Sequence, residues 1–410
     1  MATKIFTNIH CLVNTRESSG FLRGSELSIL PKIENAYIVV EGDTISDIGK
    51  MEDFRFAKEG NAVPRNTFVL PCWCDSHSHL VFAKSREEEF IDKIKGLSYA
   101  EIASTGGGIL NSAEKLNTVS EDELFNLSWK RLKQVGKMGT GAIEIKSGYG
   151  LTVEGELKML RVIKKLKEKS RLEIKSTFLG AHAFPAAYKE NHEGYIDLLV
   201  NKMLPIIIRE KLADYIDVFC ETGFFSPGEM IRICEAGKQF GLKPKLHVNQ
   251  LNSIGGIEAG IQVKALSLDH LETLTDNEIQ LLVKFEGSST LLPTAAFFLG
   301  TEMPPARKLI DAGAAVTLAS DYNPGSSPSG NMNFVVSLSC IQMKMLPEEA
   351  INSATINGAA AMEIGKDYGS IAVGKKANLI FTNPIPSLAY LPYSFGENLI
   401  DKVMIKGDFI

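Results

Sequence analysis

Asp75-Ser76-His77-Ser78-His79 sets two imidazoles two residues apart, soon after the apolar run Phe68-Val69-Leu70. Side chains at i and i+2 of an extended strand point to one face, so His77 and His79 can grip a single cation together. Alone, the pattern also describes two exposed histidines at a strand end. Three more histidines repeat the setting. His182 follows Thr177-Phe178-Leu179-Gly180-Ala181, His247 ends Lys245-Leu246-His247, and His270 follows Ser267-Leu268-Asp269. Asp321 closes Leu318-Ala319-Ser320-Asp321. Five of only seven histidines therefore end strand-like runs, which favours one shared site over five separate structural roles. His10 and His192 lack that context. Two or three imidazoles plus a carboxylate suit a zinc-like ion with one position left for water. Such an ion lowers the pKa of its water toward about 7 and supplies a nucleophile at neutral pH.

Those residues need elements that bring them together. Apolar β-type runs occur at 68–70 leading into 72–79, then at 141–145, 174–179, 215–220, 244–248, 265–268, 289–292 and 315–319. Amphipathic stretches separate them from about residue 134 onward, which argues for βα units on a parallel sheet. Eight runs are what a closed (β/α)8 barrel requires, with chemistry at the C-terminal ends of its strands. Closure makes strand eight the neighbour of strand one, so Asp321 is expected beside the histidine pair. His247 would reach the same centre from across the mouth. Ser120 to Glu123 and Thr275 to Glu278 read as capping boxes, and Ser226-Pro227 adds a proline at a first helical position. Leu157, Leu160, Val162, Ile163 and Leu166 have helical spacing between an acidic start and a basic end. Lys146 follows the second run, but no strand-end lysine is obviously placed to bridge two ions, so one metal is expected.

The chain has 410 residues, which suits a barrel of roughly 250 residues plus a smaller unit. The α/β reading divides it into an N-terminal β segment at 1–65, a TIM-like barrel at 66–364 and a C-terminal β segment at 365–410. Hydrophobic residues make up 44% and charged residues 23%, as in ordinary globular proteins. The net charge of -5 is scattered, without the basic stripe that nucleic-acid binding needs. No apolar run has membrane-spanning length, and the N-terminus lacks a signal-like stretch. A cytoplasmic enzyme with a small-molecule substrate is expected. The six cysteines form no disulfide framework, and Cys72-Trp73-Cys74 without a second pair reads as buried thiols rather than half a zinc site.

The histidines and Asp321 resemble the metal and site positions of the amidohydrolase superfamily. The tail at 369–381 looks like its returning β-sandwich segment, with Asn378 where aspartate is common. Within that superfamily, the stretches 144–151, 177–185 and 320–328 resemble the imidazolonepropionase family, and Thr105-Gly106-Gly107-Gly108-Ile109 fits a loop over the site. The resemblance spans essentially the whole chain. It implies hydrolysis of the ring C–N bond of 4-imidazolone-5-propanoate to N-formimidoyl-L-glutamate, in histidine degradation. It implies one zinc or iron ion held by His77, His79, His247 and Asp321, with Asp321 and His270 catalytic. It also implies substrate contacts from Arg86, Tyr149, His182, Asn323, Gly325 and Ser326, a homodimer, and a small β-sandwich built from both chain ends. The planar fork of Arg86 suits a propionate carboxylate, although beside Glu87-Glu88-Glu89 it also reads as a surface charge.

Gln250 stands three residues after His247, where many relatives carry a proton-shuttling glutamate. An amide cannot titrate, which weakens the runner-up reading, a deaminase or other ring hydrolase acting on a different heterocycle. Gln250 is assigned to substrate binding. A non-catalytic barrel, the remaining alternative, would not be expected to keep the ligand set.

Overall fold

The structure, a computed structural model, describes residues 2–56, 60–97 and 107–410. Two sheets organise it. The barrel sheet runs in parallel order through β6 (Trp73–Asp75), β7 (Thr140–Lys146), β8 (Glu173–Ala181), β9 (Tyr215–Cys220), β10 (Lys243–Val248), β11 (Ser267–His270), β12 (Ser288–Leu291) and β13 (Val316–Leu318). Its last gap is sealed just beyond the strand ends. Ser78 bridges Tyr322 in parallel register. Asp321 N donates to His77 O (3.0 Å), and His79 N donates to Tyr322 O (2.9 Å). Ser320 N adds a 2.9 Å bond to Asp75 Oδ1.

Alternation along the strands sorts two environments. On β7, Ile143 and Ile145 join the main apolar cluster with Leu160 and Ile163 of the helix Val153–Lys169. Glu144 and Lys146 alternate with them and are fully buried. The helix-facing side gains roughly 1.5–3 kcal/mol for each large aliphatic buried. The inner side is filled with polar and charged groups. The hydroxyls of Ser120, Ser226 and Thr275 accept from the third residue of their helices; Thr275 and Ser226 complete a capping box, whereas Ser120 makes only the first of its two bonds.

The other sheet joins both chain ends. Its order is β16 (Asp408–Phe409), β15 (Ile400–Ile405), β14 (Leu379–Thr382), β5 (Phe68–Pro71), β1 (Thr3–Val13), β2 (Lys32–Glu41) and β3 (Thr44–Lys50), with β4 (Asn61–Ala62) on β1. The sheet curls until its far edge meets its other half. Ile45 N donates to Lys375 O, and Ala377 N to Asp43 O. Phe6, Ile38, Ile45, Val69, Phe381 and Met404 share the apolar cluster inside the curl. One expectation is corrected here. The run 68–70 is not the first barrel strand: it pairs with β1 and β14, and the barrel begins at Trp73. Two consecutive short strands are divided by Cys72, whose N–H bonds Asn378 O. All six cysteines are free, and Cys72 and Cys74 are buried.

Candidate active site

Five histidines and one aspartate meet at the C-terminal mouth of the barrel. His79 Nε2 lies 3.3 Å from His247 Nε2. Asp321 Oδ1 lies 3.5 Å from both His77 Nε2 and His79 Nε2. A tetrahedral ion with bonds of about 2.1 Å sets its ligand atoms about 3.4 Å apart, so these separations match the edges of one coordination shell. His77, His79 and His247 form one potential metal-holding trio, and His77, His270 and Asp321 another. His77 Nε2 is buried without a hydrogen-bond partner among the described residues, which a metal bond would satisfy. The residues present therefore fit a cation.

Two of the candidate ligands are oriented from behind. His77 Nδ1 donates to Asp269 Oδ2 (2.7 Å), and His247 Nδ1 donates to Asp217 Oδ2 (2.8 Å). Both imidazoles then present an unprotonated Nε2 to the centre. Burial, assisted by the Lys146 charge, holds His77 and His247 well below the usual histidine pKa, and burial with neighbouring imidazoles does the same for His79. They are the neutral ligands that metal binding demands. Burial pushes Asp321 up to about 6, against the pull of His270.

His270 behaves differently. Burial opposes its charge, but Glu272 beside it, with Asp321 and Asp269, raises its pKa. Its Nδ1 lies 3.3 Å from Glu272 Oε1. His270 and Asp321 both sit at positive φ, 86° and 49°. Such conformations are uncommon outside glycine and concentrate at functional sites. His182 Nδ1 donates to Gly148 O (3.0 Å), leaving Nε2 as an acceptor. Desolvation pushes its pKa down to about 4. Gly148 has φ +115°, and a Cβ there would sit 2.7 Å from His182 Nδ1, so only glycine allows this approach.

The other sequence candidates occupy different settings. Tyr149 is buried, with its ring centroid 5.4 Å from that of His182 and 5.9 Å from that of His79. The guanidinium carbon of Arg86 lies 6.0 Å from the Tyr149 ring. Its Nε donates to Ser112 Oγ (2.8 Å), and a Cβ on Gly325 would approach its Nη1 to 2.4 Å. Arg86 thus faces the site rather than solvent. Asn323 is occupied as a turn organiser. Its amide donates to Asp321 O and Ser326 Oγ and accepts from Gly325 N and Ser326 N, all within 2.8 Å. Ser326 Oγ lies 3.4 Å from Asp321 Oδ2. Gln250 is half-buried past the end of β10. The proposed glycine loop is only partly visible, since Thr105 and Gly106 lie outside the described residues; Gly108 opens the helix Gly108–Thr118. His10 and His192 lie elsewhere, against Phe68 and Phe184.

Several groups escaped the sequence reading. Glu156 is fully buried and accepts from the backbone N–H of Gly148, Gly150 and Leu151, shaping the loop that carries Tyr149. Asp217 sits inside the run 215–220 and Asp269 just past the run 265–268. Their signal was a carboxylate in or next to an otherwise uncharged strand-like run. An open cleft of about 450 Å³ begins at Ala183, beside His182, and is lined by Ile109, Phe184, His192 and Phe224.

Comparison with known proteins follows the same line. The amidohydrolase family model matches residues 68–410. The chain is 55% identical over 408 residues to the imidazolonepropionase of Flavobacterium johnsoniae, covering 99% of each chain. It is 53% identical over 410 residues to that of Christiangramia forsetii, covering 100% of each. Among solved structures, E. coli guanine deaminase superposes with a TM-score of 0.74 at 13% identity, over 100% of this chain and 99% of that one. A likeness at that identity speaks for the fold alone.

Proposed function

The chain belongs to the amidohydrolase family, within its imidazolonepropionases, and from that premise we propose how its residues open the imidazolone ring. The substrate is 4-imidazolone-5-propanoate and the product N-formimidoyl-L-glutamate, a step of histidine degradation. His77, His79, His247 and Asp321 hold one zinc or iron ion. Both metals accept this donor set. The observation that carries the reading is the convergence of those four side chains at 3.3–3.5 Å separations. When bound, the ion supplies Lewis acidity that makes water nucleophilic near neutral pH.

This chain's own groups do the rest. Asp321 takes a proton from the attacking water, whose oxygen adds to the ring carbonyl carbon. A carboxylate so placed can later return the proton. His270, whose charged form Glu272 favours against the cost of burial, donates to the developing oxyanion. The ring C–N bond then breaks, and the proton held on Asp321 passes to the departing nitrogen. His182 Nε2 accepts from a ring N–H, and the Tyr149 hydroxyl borders the same space. Arg86 receives the propionate. Gly325 and Ser326 border the carboxylate end, and Asn323 serves by holding their turn. Gln250 hydrogen-bonds the ring without titrating.

The reading extends to whole-protein properties. Segments 1–71 and 365–410 form the β-sandwich unit and the barrel unit runs from Trp73 to about residue 364, acting as a cytoplasmic homodimer on the strength of the resemblance. No helix among the described residues is long and apolar enough to cross a membrane. Freshly prepared imidazolone propionate should lose its ultraviolet absorbance with the protein. Chelation should stop the loss, and added zinc or iron should restore it. Absorbance loss that survives complete metal removal would defeat the reading.

A further inference from the structure

Beneath the metal histidines the barrel interior holds five buried charges: Glu144, Lys146, Asp217, Lys245 and Asp269. Lys146 Nζ lies 2.8 Å from Asp217 Oδ2, 2.9 Å from Glu144 Oε1 and 3.5 Å from Asp269 Oδ2. Two of these oxygens have a second task. Asp217 Oδ2 is the atom that accepts from His247 Nδ1, and Asp269 Oδ2 the one that accepts from His77 Nδ1. One ammonium therefore touches both oxygens that orient metal histidines. The arrangement follows from barrel geometry. Lys146, Asp217 and Asp269 stand on β7, β9 and β11, and alternate strands contribute to one interior layer. A lysine side chain spans that layer. The chemistry also excludes a different role for Lys146, because its nitrogen is enclosed by three carboxylates rather than open to a second cation.

We propose that Lys146 is a positioning residue for the metal centre: its ammonium fixes Asp217 and Asp269, and through them aims the Nε2 atoms of His77 and His247 at the ion. The inference deepens the metal-hydrolase reading and rests on it. Without the ammonium, two buried carboxylates face each other across a gap with no intervening cation. Repulsion then turns them out of line with the imidazoles they hold.

Lys245 provides the comparison. It is equally buried, and it ion-pairs with Glu144 at 3.1 Å and donates to Ser267 and Ala361, touching neither histidine-bound oxygen. Metal-free wild type, Lys146→Met and Lys245→Met would be titrated with zinc against a chromophoric chelator, and melted in excess chelator. Lys146→Met should weaken zinc binding roughly 10- to 100-fold, the usual loss when a group behind a ligand is removed. Lys245→Met should lower the melting temperature without a comparable loss of zinc affinity. Zinc binding by Lys146→Met equal to wild type, or an equal loss in Lys245→Met, overturns the inference. Should Lys146→Met fail to fold, Glu144→Gln/Lys146→Met keeps the buried charge balance and both aspartates. The same weakening is expected of it, and wild-type affinity there also overturns the proposal. A wild-type protein that binds neither zinc nor iron would instead bring down the metal-centre reading itself.

Discussion

At the scale of single residues, the site separates groups that hold from groups that react. In the proposed reaction Asp321 does both, and His270 only reacts. Asp321→Ala and His270→Ala should still bind product by calorimetry while losing about 10²- to 10⁴-fold in kcat, the usual weight of one general acid–base group. Near-normal turnover in either variant would remove the assigned role. Arg86→Lys keeps the charge but not the fork. KM for imidazolone propionate should rise about 10-fold or more, since a charge-assisted hydrogen bond contributes about 1.5–3 kcal/mol. An unchanged KM would move the carboxylate elsewhere. The convergence of the five histidines was legible because histidine is scarce in this chain and falls at strand ends. Asp217 and Asp269 were not. An aspartate inside or beside an apolar run does not announce which imidazole it will meet, because its partner comes from a different strand. Asn323, a polar residue in a promising turn, directs its side-chain hydrogen bonds to the turn itself, which the sequence did not reveal.

At the scale of elements, loops decide where the reacting groups sit, and helix ends decide how firmly. Gly148→Ala would force a side chain onto φ +115° and into His182 Nδ1. It should reduce kcat/KM by about an order of magnitude or more, as a small misplacement in a catalytic site does. Ser226→Ala removes a capping bond at the start of the helix Pro227–Gln239 and should cost about 1 kcal/mol in urea unfolding with kcat unchanged. If Ser226→Ala impaired turnover as much as Gly148→Ala, the local explanation for His182 would be lost. The caps and most barrel strands were readable from spacing and turn chemistry. The boundary at Cys72 was not, because three apolar residues fit a barrel strand and a terminal-sheet strand equally well. Only the pairing of Val69 with Leu12 on one side and Phe381 on the other distinguishes them.

At the scale of the whole molecule, barrel closure and the metal centre are one event. The seam between the first and last strands is made by Asp75, His77 and His79 on one side and Ser320, Asp321 and Tyr322 on the other. A cation bound across that seam ties the two ends of the barrel together. Saturating metal at about 100 times its dissociation constant should add about 2.7 kcal/mol of stability. Calorimetric melting with and without chelator measures this, and an unchanged melting temperature would mean that no ion bridges the seam. The pairing of the chain ends was implied by the family resemblance alone, and the curl of their sheet was not, since it depends on contacts such as Ile45 with Lys375. The seam also has a consequence in time. His79 and Asp321 are separated by 242 positions (321 minus 79). At a synthesis rate of roughly 5–20 residues per second, the imidazole pair leaves the ribosome roughly 10–50 seconds before its carboxylate exists. For that interval the nascent chain carries an incomplete chelate, and selective capture of the right ion waits for the last strand to arrive.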